Sequence, residues 1–261
     1  MPDAAAVLER VSKSYPTGAR GSIDVLADLS LTAERGAFVA ILGPSGCGKS
    51  TILGILSGLL AHDGGVARIP PAHEIAYVFQ TARLLPWRTI EQNLEITRAA
   101  RLRQRARPYQ RSAADYLKAA GLWEYRSFYP SALSGGMQQR ASIARALSVE
   151  PTMLLMDEPF SALDELTART QREFLLRTWS DYASTIVFVT HNVLEAITMA
   201  TSIVVMSARP ARVLERIDVD IARPRALTDP RVGALQGRIL GLLGVVEPEP
   251  TRPRAATAVA P

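Results

Sequence analysis

A single cysteine, Cys47, stands in 261 residues, so there is no intramolecular disulfide and no thiolate cluster for a metal. That fits a reducing compartment. No apolar run reaches the roughly 18 residues that a membrane-spanning helix needs. The best candidate, ILGLLGVV near the C-terminus, is too short and holds two glycines. The N-terminal stretch MPDAAAVLERVSKSY lacks the basic-then-apolar order of a secretory signal. A chain that does not itself cross a bilayer is expected. With 48% hydrophobic and 21% charged residues, its composition is that of an ordinary globular protein. Its length suits one large α/β domain, or a core with a smaller insertion.

Acidic residues are missing from one segment in particular. TRAARLRQRARPYQR, residues 97–111, holds six arginines and no acid. Removing those six charges takes the formal net charge from +5 to −1. The high pI is therefore a local stripe and not a global nucleic-acid footprint. The segment reads as a solvated helix face, with lipid head groups or an acidic partner as the alternative. It also lacks the interleaved aromatics of a single-strand binder.

Short β-branched runs alternate with helix-like segments, the pattern of a layered α/β fold. FVAIL, IAYVF, MLLM, TIVFVT and SIVVM read as strands, several apolar on both faces, as buried parallel strands are. KSTILGILSGL, TIEQNLEITRAARLRQ, SAADYLKAAGL, GMQQRASIARALS, ELTARTQREFLLRTW and NVLEAITMA read as helices. Strand signals stop between residue 81 and about residue 134, which suggests a helical subdomain inserted in a core of residues 1–80 and 135–217. ARPARVLERIDVDI reads as an edge strand, followed by a segment broken by Pro and Arg. Residues 218–261 form a C-terminal extension whose end, EPEPTRPRAATAVAP, has the composition of a disordered tail.

GPSGCGKST comes after a strand and opens a helix, the context in which G-x-x-x-x-G-K-[ST] cradles phosphates. Gly43, Pro44, Ser45, Gly46, Cys47, Gly48, Lys49, Ser50 and Thr51 make the loop. Its glycines let backbone N–H groups approach the phosphates closely. Lys49 adds a point charge, and the Ser50 hydroxyl suits Mg²⁺, which prefers oxygen ligands. Cys47 is a spacer. In MLLMDEP an apolar strand delivers Asp157 and Glu158 at its carboxyl end, where α/β ligands bind. Asp157 is expected to hold Mg²⁺, directly or through water, and Glu158 to orient the attacking water.

A second anion-binding geometry lies about ninety residues further along. Ser134, Gly135 and Gly136 in LSGGMQQR open an evident helix, which aims backbone N–H groups at an anion. Together with Gln80 in VFQ, SALD (residues 161–164) and His191 in VTHN, these motifs resemble the ATP-binding subunits of ABC transporters, over about residues 7–215. The resemblance implies a P-loop NTPase (RecA-like) α/β core with an antiparallel β edge and an inserted α-helical subdomain. It implies a head-to-tail homodimer with ATP and Mg²⁺ in the interface. There Ser134, Gly135 and Gly136 contact the γ-phosphate on the partner's loop. It further implies that Tyr15 stacks on adenine, Gln80 reaches the metal and water, His191 bonds the γ-phosphate, and Asp164 lines the dimer interface. Asn192 and Leu194 depart from the acidic residues common beside the switch histidine, although Glu195 is kept. The stretch between Gly65 and Ile75 is also shorter than the family's usual hairpin.

TARLLPWRTIEQNL resembles the matching segment of importer ATPases for nitrate, sulfonates and taurine. That implies a separate transmembrane permease, docked near Leu84, Leu85, Pro86 and Trp87, and a substrate-binding protein in the wider complex. The place implied is the cytoplasmic face of the membrane, held peripherally through the permease. Trp87 could instead fill the subdomain core. The alternatives are a non-transport ABC ATPase acting on nucleic acid or the ribosome, and a phosphate-loop kinase. The first usually carries a coiled-coil insertion or a second ATPase domain, which this sequence lacks, and no nucleic-acid partner is expected. The second leaves LSGGMQQR and His191 unexplained.

Overall fold

Strand β3 (Phe38–Leu42) divides the core. All five of its residues are buried, and the two-residue period of a strand sends them to opposite faces. Phe38, Ala40 and Leu42 join one apolar cluster, while Val39 and Ile41 join the other. The computed structural model describes residues 3–18, 21–104, 108–161, 163–182 and 184–244.

Strand β3 lies inside a six-stranded sheet of order β5-β6-β7-β3-β8-β9. Its other members are β5 (Ile75–Val78), β6 (Met153–Asp157), β7 (Thr185–Thr190), β8 (Ser202–Met206) and β9 (Val213–Asp218). The first five run parallel; β9 pairs with β8 antiparallel and closes the edge. Phe79, expected at the end of β5, lies just beyond it. One face of the sheet carries α2 (Ile90–Leu102), α3 (Ala113–Ala119), α4 (Gly135–Ser148), α5 (Glu165–Tyr182), α6 (Val193–Met199) and α7 (Pro230–Leu242). The other packs on α1 (Lys49–Leu56) and on a three-stranded antiparallel sheet of β2 (Ser22–Glu34), β1 (Ala4–Pro16) and β4 (Gly64–Arg68).

The individual strands of that small sheet are not legible as strands in the sequence, for a physical reason. β1 and β2 are 13 residues each, but their register shifts between Leu8 and Val11 and again around Lys13. Arg10 and Asp28 take positive φ values of 49° and 54° at these irregularities. Each bulge switches the inward face and breaks the alternation that marks a strand. Gly65 is required where β4 meets this distortion. A Cβ there would lie 2.3 Å from the Arg10 carbonyl oxygen, and its φ is +86°.

One expectation about the C-terminal segment is corrected. The Pro- and Arg-broken stretch after β9 contains α7. Asp229 caps it, accepting from the Arg231 N–H at 2.9 Å, and Pro230 sits at its first position, a favourable start for a helix. Val232 and Ile239 dock it on the core. The tail EPEPTRPRAATAVAP, residues 247–261, read as disordered, lies outside the described residues.

The arginine stripe is not a uniformly solvated face. Arg98 is only 8% exposed. Its guanidinium donates to the carbonyls of Ser148 (2.5 Å) and Arg111 (2.8 Å) and stacks on Tyr109 at 3.9 Å. Arg101 donates to the carbonyls of His73 and Ile75. These side chains tie α2 to the end of α4 and to the start of β5. Arg103 and Arg111 are exposed, while Arg105 and Arg107 lie outside the described residues. Arg98→Ala should lower unfolding free energy by about 2–4 kcal/mol, because it leaves a cavity and strips two carbonyls of a charged donor. Denaturant titration checks this, with Arg103→Ala as the exposed comparison.

Candidate nucleotide site

The strand order brings the chemistry together. β5, β6, β7 and β3 are successive parallel neighbours, so the residues just past each strand emerge at one edge, the usual ligand edge of such sheets. Gln80 lies beyond β5, Asp157 ends β6 with Glu158 next, His191 comes directly after β7, and residues 43–48 come directly after β3.

Those six residues lead into α1 and pack closely on their supports. Gly46 and Gly48 have φ of 72° and 118°, values that disfavour any side chain. A Cβ on Gly48 would stand 2.8 Å from Val25 Cγ1, and one on Gly43 would stand 2.9 Å from Met206 Cβ. Lys49 is buried, and its ammonium donates to the carbonyls of Gly43 (2.8 Å) and Pro44 (3.0 Å). Cys47 is buried too, with its N–H on the Pro44 carbonyl at 3.3 Å. Burial pushes its thiol pKa up, against the pull of the Lys49 cation, so it stays protonated and unreactive.

The two acids occupy different environments. Burial pushes the Asp157 carboxyl up from the ordinary range, opposed by a hydrogen bond from the Ser50 hydroxyl. Glu158 sits at φ 43°, a left-handed turn that few non-glycine residues adopt. Its N–H donates to the Val189 carbonyl of β7 at 3.1 Å, and its Oε2 lies 3.2 Å from Nδ1 of His191. The turn is thus pinned while the carboxylate faces the cavity.

Asp157 carries a consequence for stability. A carboxyl whose folded pKa exceeds its unfolded value opposes folding once it ionises. Asp157→Asn should therefore raise the melting temperature at neutral pH by a few degrees. The gain should vanish as pH falls below 3.8, the ordinary aspartate value, where the acid is protonated in both states. Thermal melts of both proteins across pH check it.

Gln80 is placed from beneath. The buried Gln139 of α4 donates to the Phe79 carbonyl at 3.1 Å. Arg145 of the same helix donates to the carbonyls of Arg83 (2.9 Å) and Ala82 (3.4 Å). A cavity of about 500 Å³ opens over these groups, within the range of small-ligand sites. Tyr15, Ser45, Gly46, Gly48, Lys49, Ser50, Thr51, Gln80 and Glu158 line it. The Tyr15 hydroxyl lies 3.4 Å from Thr51 Oγ1, and its ring is partly exposed.

The lining also includes Thr17, Ile23, Val25 and Arg209, which no motif marks. Arg209 arrives from the β8–β9 turn and the other three from the β1–β2 hairpin, placements that depend on sheet order.

Ser134, Gly135, Gly136 and Asp164 do not line this cavity. Ser134 caps α4 by accepting from the Met137 N–H at 3.3 Å. Ser134 and Gly135 are exposed, and a Cβ on Gly135 would meet nothing within 4 Å. A Cβ on Gly136 would stand 3.2 Å from Leu163, the neighbour of Asp164. The exposed Asp164 accepts from the Thr167 N–H at 3.0 Å, and hydrogen bonds from Thr167 hold its carboxyl below the usual range. Beside His191, Asn192 caps α6 by accepting from the Glu195 N–H at 3.2 Å. Asparagine serves there as well as an acid does. Glu195 is buried, taking a 2.7 Å bond from Thr190 and pairing with Arg172.

Comparison with known proteins shows the family to which the chain belongs. The family model described as ABC transporter matches residues 26–161. The bicarbonate transport ATP-binding protein CmpD of Synechocystis sp. is 39% identical over 226 residues, covering 84% of this chain and 80% of CmpD. The aliphatic sulfonates import ATP-binding protein SsuB of Bacillus thuringiensis subsp. konkukian is 37% identical over 241 residues, covering 89% and 93%. Among solved structures, the dimeric ATP-binding cassette MJ0796, in a post-hydrolysis state bound to ADP and Pi, superposes with a TM-score of 0.72. It is 30% identical and covers 83% of this chain and 100% of that one. A likeness of this strength runs along most of the chain, and the protein therefore belongs to the ABC transporter family as one of its ATP-binding cassettes.

Proposed function

We propose that the chain is the ATP-hydrolysing subunit of an importer, working as a head-to-tail homodimer beneath a separate permease. The observation that carries the dimer is the separation of the two anion-binding elements. The capped, glycine-bearing start of α4 is exposed and contributes nothing to the cavity that the chain's own phosphate loop lines. In a two-fold dimer each such element serves the partner's nucleotide, so one sequence builds two equal sites. The MJ0796 cassette is dimeric, which supports the arrangement.

Within a site, Tyr15 stacks on the base while Lys49 and the loop N–H groups hold the phosphates. Glu158 orients a water toward the γ-phosphorus and takes its proton as the bond to ADP breaks. His191, beside Glu158, bonds the γ-phosphate. The Ser50 hydroxyl, the Asp157 carboxylate and the Gln80 amide oxygen are hard oxygen donors that fit Mg²⁺. Mg²⁺, when bound, neutralises charge on the β- and γ-phosphates. Asp164, beside the start of α4, faces the partner.

The import reading rests on the relatives named for bicarbonate transport and sulfonate import, and the cargo proposed is a small anion of that kind. Among the described residues no helix is long and apolar enough to cross a membrane, so attachment to the cytoplasmic face falls to the permease. A substrate-binding protein completes the assembly. Residues 81–134 form the permease-facing subdomain. Trp87 is 68% exposed, so it does not fill a core. The buried Asn93 shapes the segment beneath it, accepting from the Leu85 N–H and donating to the carbonyls of Leu85, Arg88 and Thr89.

The test is capture of tagged Glu158→Gln protein from native membranes in ATP, with partners identified by mass spectrometry. A polytopic membrane protein is the expected partner. Recovery of soluble or nucleic-acid-bound partners alone would overturn the importer assignment and leave the ATPase chemistry standing.

A further inference from the structure

We propose that Arg209 is a positioning residue of the nucleotide site, which acts by fixing the orientation of the Gly46 carbonyl in the phosphate loop. This rests on reading the cavity as the nucleotide site. Arg209 donates to that single oxygen from Nη2 at 2.6 Å and from Nε at 3.2 Å. Its guanidinium also lies 3.3 Å from where a Gly46 Cβ would stand, and the residue lines the cavity.

The contact matters because of the peptide that it fixes. The loop binds anions through N–H groups, so a carbonyl that turned inward would present negative charge to a phosphate. Gly46, at φ 72°, has the freedom to make that turn. The Gly46–Cys47 peptide is held at both ends: Arg209 takes its carbonyl, and its N–H donates to Pro44. Ordering of the loop is thus partly complete before a ligand arrives, which lowers the entropic cost of binding.

The turn that carries Arg209 is itself anchored. The Ser207 N–H donates to the Arg212 carbonyl and the Arg212 N–H to the Ser207 hydroxyl, both at 3.0 Å. The Ala211 N–H donates to the Val25 carbonyl at 2.8 Å, and the Ala27 N–H to the Ala211 carbonyl at 3.2 Å. Val25 is the residue on which Gly48 packs. One short turn therefore holds both the loop's apex and the wall behind it.

The experiment is equilibrium binding of fluorescent mant-ATP and mant-ADP to wild type, Arg209→Ala, Arg209→Gln and Arg209→Lys, with thermal melts of each nucleotide-free protein. Arg209→Ala should weaken ATP and ADP by the same factor, about three- to ten-fold, the worth of one hydrogen-bonded contact. In steady state that loss should fall on KM more than on kcat. Arg209→Gln keeps a donor for the carbonyl and should recover most of the affinity at unchanged salt dependence. The proposal is overturned if Arg209→Ala binds as wild type does. It is overturned equally if only Arg209→Lys recovers affinity, with a loss that grows at low salt, since charge and not the clamp would then be at work. A fall in melting temperature without a change in Kd would make the role purely structural, again overturning it. If wild type itself binds neither nucleotide, the reading of the cavity fails, a result distinct from all of these.

Discussion

Glu158→Gln should slow ATP turnover by about 10²- to 10⁴-fold, the range for a positioned general base, while ATP is still bound. The substitution preserves size and keeps an amide oxygen where the carboxylate was. It removes the basicity that draws a proton from water. The turn that presents the side chain is fixed by backbone, through the Glu158 N–H on Val189 and the Ser161 hydroxyl on the Glu158 carbonyl. Neither bond involves the exchanged group, so the positive-φ turn should survive. If ATP binds the closed dimer better than the open one, as proposed, blocking hydrolysis should also shift the population toward the dimer. Phosphate release measures the first effect and light scattering in ATP the second. A variant that hydrolyses ATP at even a tenth of the wild-type rate would falsify the base assignment.

Lys49→Ala should reduce kcat/KM for ATP by about 10²-fold or more, comparable with removing a charge-stabilising donor from other active sites. The ammonium is poised by the loop itself, between the carbonyls of Gly43 and Pro44. A phosphate entering the loop exchanges those weak acceptors for charged ones, which favours binding. Lys49→Arg should not rescue. The guanidinium is larger and planar, and the residue is only 6% exposed within a loop packed on Val25, Leu26 and Met206. Isothermal titration with ATP separates the affinity loss from any loss of kcat. Retention of wild-type affinity in Lys49→Ala would remove this residue from the site.

The parallel sheet was legible because its strands are buried on both sides, so that FVAIL, TIVFVT and SIVVM stand out as apolar runs. The helices of the first 200 residues stood out as helix-like segments between those runs, and in the structure Thr89 and Ser112 cap two of them. The long antiparallel strands were hidden by the bulges at Arg10 and Asp28, which break the alternation. Helix α7 was hidden by the prolines and arginines before it, although Asp229–Pro230 is a start signal. Contiguous motifs marked the loop and the acids by residue number; the glycine pair that they also marked lies outside the cavity. Arg209, Ile23 and Val25 belong to no motif; they reach the cavity only through the way distant strands pair. Arg98 shows the opposite error. Six arginines in fifteen residues look solvated, but a helix has an inner face, and a guanidinium can satisfy carbonyls there.

Helix α4 has a property that comes from its length. Its 14 residues extend about 21 Å at the usual rise per residue. One end carries the glycine pair that the proposed dimer would offer to a partner's nucleotide. Along its flank, Gln139 and Arg145 grip the backbone of Phe79, Ala82 and Arg83. In the proposed dimer this would make α4 a rigid lever. A push on its first turn from the neighbouring subunit's γ-phosphate would be delivered to the segment holding this subunit's Gln80, and four residues on, to the Leu84–Trp87 stretch proposed to face the permease. Each subunit would thereby report the other's nucleotide, and not its own, to the membrane.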